Sequence, residues 1–139
     1  MSSILLKPNL LIIVDDSSFD LKINSAIAGH TRLFKQILCF QSAEAALDFL
    51  SENLNNPNIY PHLILLDIYM PEMNGFEFID QYKKFPDSLK EKSRITMLSS
   101  SDDLSDVTRA KANKLVSKVL RKPLQIEELK NFVSLHYQI

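Results

Sequence analysis

Five short runs of branched apolar residues, separated by amphipathic stretches, constrain the fold of this 139-residue chain. Continuous apolar runs of this kind are typical of strands that are covered on both faces, as in a parallel sheet. The spacing between them leaves room for one helix after each strand. The pattern predicts an α/β fold, a doubly wound five-stranded parallel sheet with helices on both faces. Its strands are expected at residues 10–14, 34–40, 63–66, 94–98 and 116–120.

Apolar residues at helical spacing predict a helix after each strand. An Asp or Ser side chain directly after the first strand should cap the first helix, and Gly29 should end it. This helix is expected to bury four residues, Phe19, Ile23, Ala26 and Ile27. The other helices are expected at about 43–54, 74–82, 103–113 and 126–137. The charged segment 85–93 contains a proline and is predicted to be a surface connection.

Composition narrows the classes of function. Sixteen basic and seventeen acidic residues give a formal charge of −1, so the chain lacks the basic field that is typical of nucleic-acid binding. Its apolar runs are too short to span a bilayer, and its first residues do not resemble a secretion signal. We expect a cytoplasmic protein with no membrane contact. Residues 1–139 are expected to form one domain, with a core at about 9–137 and no output domain.

Acidic side chains stand where two of the predicted strands end. Asp15 and Asp16 follow the first strand, and Asp67 ends the third. Ser99 ends the fourth strand and Lys122 lies just beyond the fifth. Because ligands of open parallel sheets bind outside the carboxyl ends of the strands, these side chains are expected to converge at one edge.

Three ionised carboxylates need compensation if they lie this close. At about 4 Å, two like charges repel by roughly 4 kcal/mol at an effective dielectric constant of 20. Either one carboxyl group stays protonated or a cation binds among them. A water-exposed set of a few hard oxygen ligands suits Mg²⁺, and a carboxylate beside such an ion can attack phosphorus. If a cation binds, the cluster has the groups that are needed to form an aspartyl phosphate with Mg²⁺.

With these residues in place, the chain resembles a known family over about residues 9–137. The acidic pair Asp15-Asp16, the pattern Asp-x-x-Met-Pro-x-Met-x-Gly from Asp67 to Gly75, Ser99 and Lys122-Pro123 follow the expected strands in order. They are similar to the receiver domains of two-component response regulators, in particular to single-domain receivers of the chemotaxis-regulator kind. The resemblance implies the flavodoxin-like (βα)5 receiver fold with strand order 2-1-3-4-5.

The resemblance also implies a role for each site residue. Asp67 is expected to accept the phosphoryl group, with Ser99 and Lys122 contacting that group. Asp16 should bind Mg²⁺ directly, Asp15 should assist through water, and Asp67 and the backbone carbonyl of Tyr69 should complete the protein ligands. The Lys122–Pro123 peptide bond is expected to be cis, and Gly75 is expected to occupy a turn that a side chain would strain.

The implied function is signalling within a phosphorelay. The donor should be a sensor histidine kinase or a histidine-phosphotransfer protein, and a downstream protein should bind the face made by the fourth predicted helix, the fifth strand and the last helix. The protein is not expected to be an enzyme beyond its own phosphorylation and dephosphorylation. Val119 departs from the family, in which this position often carries an aromatic switch residue. An alternative is therefore an interaction module with the receiver fold that works without phosphorylation.

An aspartyl-nucleophile phosphatase is a further alternative from the enzyme class. Such phosphatases generally need a second Asp two residues after the nucleophile, as acid and base. Tyr69 occupies that position here, which argues against this alternative.

Overall fold

A computed structural model describes residues 10–100 and 104–136. Within them a five-stranded parallel sheet has the order β2-β1-β3-β4-β5, as the resemblance implied. The strands are β1 Leu10–Val14, β2 Gln36–Phe40, β3 Leu63–Asp67, β4 Arg94–Ser99 and β5 Val116–Arg121. The α-helices in the described residues are α1 Ser18–Thr31, α2 Ala43–Glu52, α3 Gly75–Tyr82, α4 Asp87–Lys92, α5 Leu104–Ala112 and α6 Ile126–His136. None of these helices is long and apolar enough to cross a membrane.

Alternate residues of the central strands supply two separate cores, one on each face of the sheet. Leu11 and Ile13 of β1 pack on the face covered by α1 and α6, whereas Ile12 and Val14 pack on the opposite face. That opposite face is covered by α2, α3, α4 and the Ala110 side of α5. Burial of β1 and β3 on both faces explains why their sequences are continuously apolar.

Helix α1 packs through a different face from the predicted one. Its buried residues are Leu21, Asn24, Ala28 and Thr31. Phe19 is 68% exposed, Ile23 is 37% exposed and Ala26 is exposed as well, so the prediction that these three are buried is wrong. The helix also runs past Gly29 and ends at Thr31; the next residue, Arg32, adopts the left-handed conformation and donates its backbone N–H to the Gly29 carbonyl.

Segment 85–93 differs from its prediction as well. It contains the short helix α4, preceded by Pro86, and Leu89 of this helix is fully buried in the core. A proline is tolerated at the start of a helix because the first backbone N–H groups have no intrahelical partner. Because α4 is an additional helix, the fourth predicted helix is α5 in the structure, and the last predicted helix is α6. The predicted last-helix residue Tyr137 and the start of the 103–113 helix lie outside the described residues.

Candidate functional site

The acidic pair follows β1 directly. The backbone N–H of Asp15 donates to the Phe40 carbonyl at 3.0 Å, which extends the pairing of β1 with β2 by one residue. The Asp15 carboxylate accepts a hydrogen bond from the Ser17 backbone N–H at 3.0 Å, and Ser17 in turn caps α1. As a result the Asp15 side chain is buried at the strand end, while Asp16 is exposed.

Asp67 is the last residue of β3 and lies between β1 and β4 in the sheet. It is in register with Leu98 and is only 4% exposed. The chain then turns into α3, whose first residue, Gly75, donates its backbone N–H to the Ile68 carbonyl at 2.8 Å. A Cβ atom on Gly75 would lie 2.5 Å from the Asp67 carbonyl oxygen and 2.8 Å from Met97 Cε.

The glycine at position 75 thus serves a purpose other than the expected one. Its φ is not positive, so a strained turn is not the reason for glycine here. Instead, α3 begins in direct contact with the end of β3, and a side chain at this position would separate the two. Asn74 caps the helix through a capping box with Glu77, which sets the start of α3 at this contact.

Lys122 reaches the acidic residues from the end of β5. Its backbone N–H donates to the Ser99 carbonyl at 2.8 Å, and its peptide bond to Pro123 is cis, as the resemblance implied. Its ammonium Nζ lies 2.7 Å from Asp15 Oδ2 and 3.3 Å from Asp67 Oδ1. A third carboxylate, Oδ2 of Asp20, accepts a hydrogen bond from the same ammonium at 3.0 Å.

The electrostatics of the cluster follow from this crowding. Burial and the nearby charge of Asp15 raise the pKa of Asp67 from 3.8 to about 7, although Lys122 opposes the shift. Burial also disfavours the charged form of Lys122, but its hydrogen bonds to Asp15 and Asp20 outweigh burial and raise its pKa. The site thus combines an ammonium that stays charged with a carboxyl group that is poised to lose its proton near neutral pH.

Three carboxylates at this edge could hold a divalent cation. One oxygen each of Asp15, Asp16 and Asp67 lies within 4.8 Å of the others. Oxygens at such separations can share one hard cation, and positive charge there would relieve the repulsion that raises the pKa of Asp67. The donor set therefore fits Mg²⁺, which the resemblance implied.

Ser99 and Tyr69, the other predicted site residues, and Val119 lie on or directly after different strands. Ser99 is buried at the end of β4, one strand away from Asp67. Tyr69 is half exposed, and its hydroxyl donates to the carboxylate of Asp106 on α5. Val119 of β5 is partly buried against the core and pairs with Met97 of β4.

Two of the contacts were not anticipated from the sequence. Asp20 lies in the first turn of α1, where an acidic residue is ordinarily explained by the helix dipole alone. The sequence did offer one signal for this contact. Asp20 follows Asp15 by five residues and lies on α1, the helix that begins directly after the acidic pair. The partnership between Tyr69 and Asp106 had no local signal, since 37 positions separate the two residues.

Comparison with known proteins agrees with this fold. The family model of the response regulator receiver domain matches residues 11–134. The crystal structure of a two-component response regulator from Cytophaga hutchinsonii is similar, with a TM-score of 0.84, 32% identity and coverage of 93% of this chain and 96% of that chain. A response regulator receiver protein from Dyadobacter fermentans gives a TM-score of 0.82, 36% identity and coverage of 91% and 95%. A probable chemotaxis protein CheY of Rhizobium etli is 30% identical over 129 residues, which cover 92% of this chain and 91% of that protein.

Proposed function

The chain belongs to the receiver domains of two-component response regulators, and from this premise we propose that Asp67 accepts a phosphoryl group from a phosphohistidine donor. The observation that carries the proposal is the position of the Lys122 ammonium, 3.3 Å from Asp67 and 2.7 Å from Asp15. A fixed positive charge beside a nucleophilic carboxylate stabilises the negative charge of a transferring phosphoryl group. The protein is a cytoplasmic signalling module that catalyses only its own phosphorylation and dephosphorylation.

In the proposed phosphoryl transfer, Asp67, Lys122 and Ser99 act from the positions that they occupy in the structure. An Asp67 carboxylate oxygen forms a bond to phosphorus while the bond from phosphorus to the histidine nitrogen breaks, and the electron pair of that bond stays on the imidazole, which takes up a proton. Lys122 contacts the phosphoryl oxygens as they arrive, and the Ser99 hydroxyl, at the end of the neighbouring strand, hydrogen-bonds one of them afterwards. Burial of Asp67 limits the access of water to the reacting atoms.

Magnesium is the proposed cofactor. Asp16 would bind it directly, Asp15 through water, and Asp67 and the Tyr69 backbone carbonyl would supply the remaining protein oxygens. When bound, the ion neutralises negative charge on the phosphoryl group and orients it. The crowding of the three carboxylates supports this assignment.

The donor is proposed to dock on a groove beside the cluster. The groove has a volume of about 360 Å³, and Phe19, Ile23, Asp20, Lys122 and Pro123 are among the residues that line it. An exposed aromatic and an exposed aliphatic side chain in the groove that contains Lys122 suit a protein donor, which must bury apolar surface to bind. Phe19→Ala should slow phosphorylation by a phosphorylated histidine-phosphotransfer protein but not by acetyl phosphate, and equal slowing with both donors would argue against this surface.

Output is proposed to pass through the face made by α5, β5 and α6. Phosphorylation adds close to two negative charges and biases an equilibrium between two conformations, one of which binds a downstream protein. Val119 lies on this face, and a valine cannot alternate between buried and exposed positions as an aromatic switch residue does. This residue supports the second candidate function, an interaction module that works without phosphorylation.

Intact-mass measurement separates the two candidates. The protein is incubated with Mg²⁺ and acetyl phosphate, with Asp67→Asn as the control. We expect the native protein, and not the variant, to gain one phosphoryl group, and the gain should be lost when EDTA removes the metal. If neither protein gains mass, the phosphoryl-acceptor function is wrong and the interaction module is favoured.

A further inference from the structure

Asp20 differs from the other carboxylates that contact Lys122. It approaches the ammonium from α1, with Oδ2 at 3.0 Å from Nζ, whereas Asp15 and Asp67 approach from strand ends. Its side chain is 35% exposed, compared with 1% for Asp15 and 6% for Asp67. Asp20 is therefore the solvent-facing partner of the ammonium.

The position of Asp20 leaves its charge at the entrance to the site. Within the described residues, the acidic group that could share one metal ion consists of Asp15, Asp16 and Asp67, and Asp20 is not part of it. The positive charge of a cation bound there is neutralised mainly by those three carboxylates. Asp20 instead lines the open groove that leads to Lys122. A phosphodonor that enters through this groove therefore meets the negative charge of Asp20 where it reaches Lys122.

We propose that Asp20 is a specificity-determining residue that selects phosphodonors by charge; this inference rests on the proposed phosphoryl-acceptor function. Its carboxylate occupies one of the hydrogen bonds of the Lys122 ammonium and repels strongly anionic donors. Like charges at separations of a few ångströms near a protein surface interact strongly enough to change rates severalfold, and salt screens this interaction. The residue thus disfavours small, highly charged phosphate esters and anhydrides relative to donors that carry less negative charge.

The proposal is distinguishable from a purely structural role. Asp20 also lies in the first turn of α1, where a negative charge stabilises a helix by interacting with its dipole. Loss of that stabilisation, or of the position of Lys122, would change phosphorylation by every donor alike. Selection by charge instead changes the ratio of the rates for two donors and makes that ratio depend on ionic strength.

The test compares two small donors, acetyl phosphate and the less anionic phosphoramidate. In both reactions an Asp67 oxygen bonds to phosphorus, and the leaving group, acetate or ammonia, departs with the electron pair of the broken bond. Rates are measured by intact mass in the presence of Mg²⁺. For Asp20→Asn we expect the ratio of the acetyl phosphate rate to the phosphoramidate rate to rise about fivefold at low salt. At about 1 M salt, where charges are screened within about 3 Å, the ratio for the native protein should rise towards that of Asp20→Asn.

Two further variants complete the test. Asp20→Glu keeps the charge and should retain the native ratio. Asp48→Asn, at an exposed position on α2, changes the net charge equally and should leave the ratio unchanged. An unchanged or lowered ratio in Asp20→Asn overturns the role of Asp20 while the native protein still gains a phosphoryl group. If the native protein gains none from either donor, the phosphoryl-acceptor function itself fails.

Discussion

Asp67 carries a carboxyl group whose pKa is raised to about 7 by burial and by Asp15. Between about pH 4 and pH 7 the folded protein therefore retains a proton that the unfolded chain has released. Because the folded state binds more protons in this window, the stability of the metal-free protein falls as the pH rises through it. The residue that the proposed chemistry depends on is thus a source of instability when no metal is bound.

Replacing this carboxyl group should stabilise the metal-free protein. Asp67→Asn is expected to raise the free energy of unfolding by about 1–3 kcal/mol at pH 8 and to change it little at pH 4, since one pKa unit corresponds to about 1.4 kcal/mol. Part of the gain is offset because Lys122 loses a charged partner. Urea unfolding in EDTA at both pH values measures the effect, with Asp48→Asn as the control. An equal effect at both pH values would contradict the prediction.

Metal binding should be linked to the same proton. Because Mg²⁺ requires the ionised form of Asp67, its apparent affinity should rise about tenfold between pH 6 and pH 8. Calorimetric titration with Mg²⁺ at the two pH values checks this and also reports the released proton. In Asp67→Asn the affinity should be lower and nearly independent of pH over the same range. A native affinity that does not change with pH would count against the metal ligation proposed for Asp67.

Among the structural elements, α3 depends on one glycine for its contact with β3. Gly75→Ala places a Cβ atom 2.5 Å from the Asp67 carbonyl oxygen, so the start of α3 must move away. We expect a loss of about 1–3 kcal/mol in the free energy of unfolding, as is typical of overpacking, together with slower phosphorylation of Asp67. Gly29→Ala is the matched control, because a Cβ atom there meets no atom within 4 Å. In the interior of α1 this control should be stabilising by about 0.5–1 kcal/mol.

Helix α5 packs on β4 and β5, and two side-chain contacts also connect it to the segment that follows Asp67. Its Asp106 accepts a hydrogen bond from Tyr69, and the guanidinium carbon of its Arg109 lies 3.9 Å from the ring centroid of Phe76. Leu104 is exposed, so α5 contributes little apolar area to the core beyond Ala110. These two contacts couple α5 to the segment that follows the candidate nucleophile.

Removing the Tyr69 hydroxyl should loosen this helix selectively. Tyr69→Phe is expected to increase amide hydrogen exchange in α5 about threefold to tenfold, corresponding to a lost hydrogen bond of about 1 kcal/mol, and to leave α6 unchanged. Tyr60→Phe is the matched control, since that hydroxyl bonds to the Leu54 carbonyl in another part of the protein. Hydrogen exchange followed by mass spectrometry makes the comparison. Unchanged exchange in α5 would show that the hydroxyl does not hold the helix.

For the molecule as a whole, the proposed signal runs from the carboxyl edge of the sheet to the face made by α5, β5 and α6. Beryllium fluoride with Mg²⁺, a mimic of the phosphoryl group, should shift backbone amide resonances on this face and at the loops around Asp67. The exposed side of α2 should shift little, because it lies across β1 and β3 from that face. Asp67→Asn should abolish the shifts. Shifts confined to the loops would mean that phosphorylation does not change this face, as is expected if Val119 cannot replace an aromatic switch residue.

Much of the fold could be predicted because its signals are local. Burial on both faces makes the central strands continuously apolar, and Ser17, Ser42 and Asn74 cap the helices that follow them. The inward face of α1 could not be predicted, because Phe19 and Leu21 are both apolar and only packing against β1 and α6 selects Leu21. Helix α4 was missed because its single buried residue, Leu89, leaves no periodic pattern.

The contacts of the candidate site also fall into two groups, those that the sequence predicts and those that only the tertiary structure sets. Sequence alone determined that Asp15, Asp16, Asp67 and Lys122 would meet, because parallel strands bring their carboxyl ends to one edge in whatever order the chain visits them. Only the tertiary structure decided that Asp20 shares the ammonium of Lys122, 102 positions away, and that Tyr69 bonds to α5. Strand ends are set by local composition, whereas contacts between distant side chains depend on how helices pack against the finished sheet.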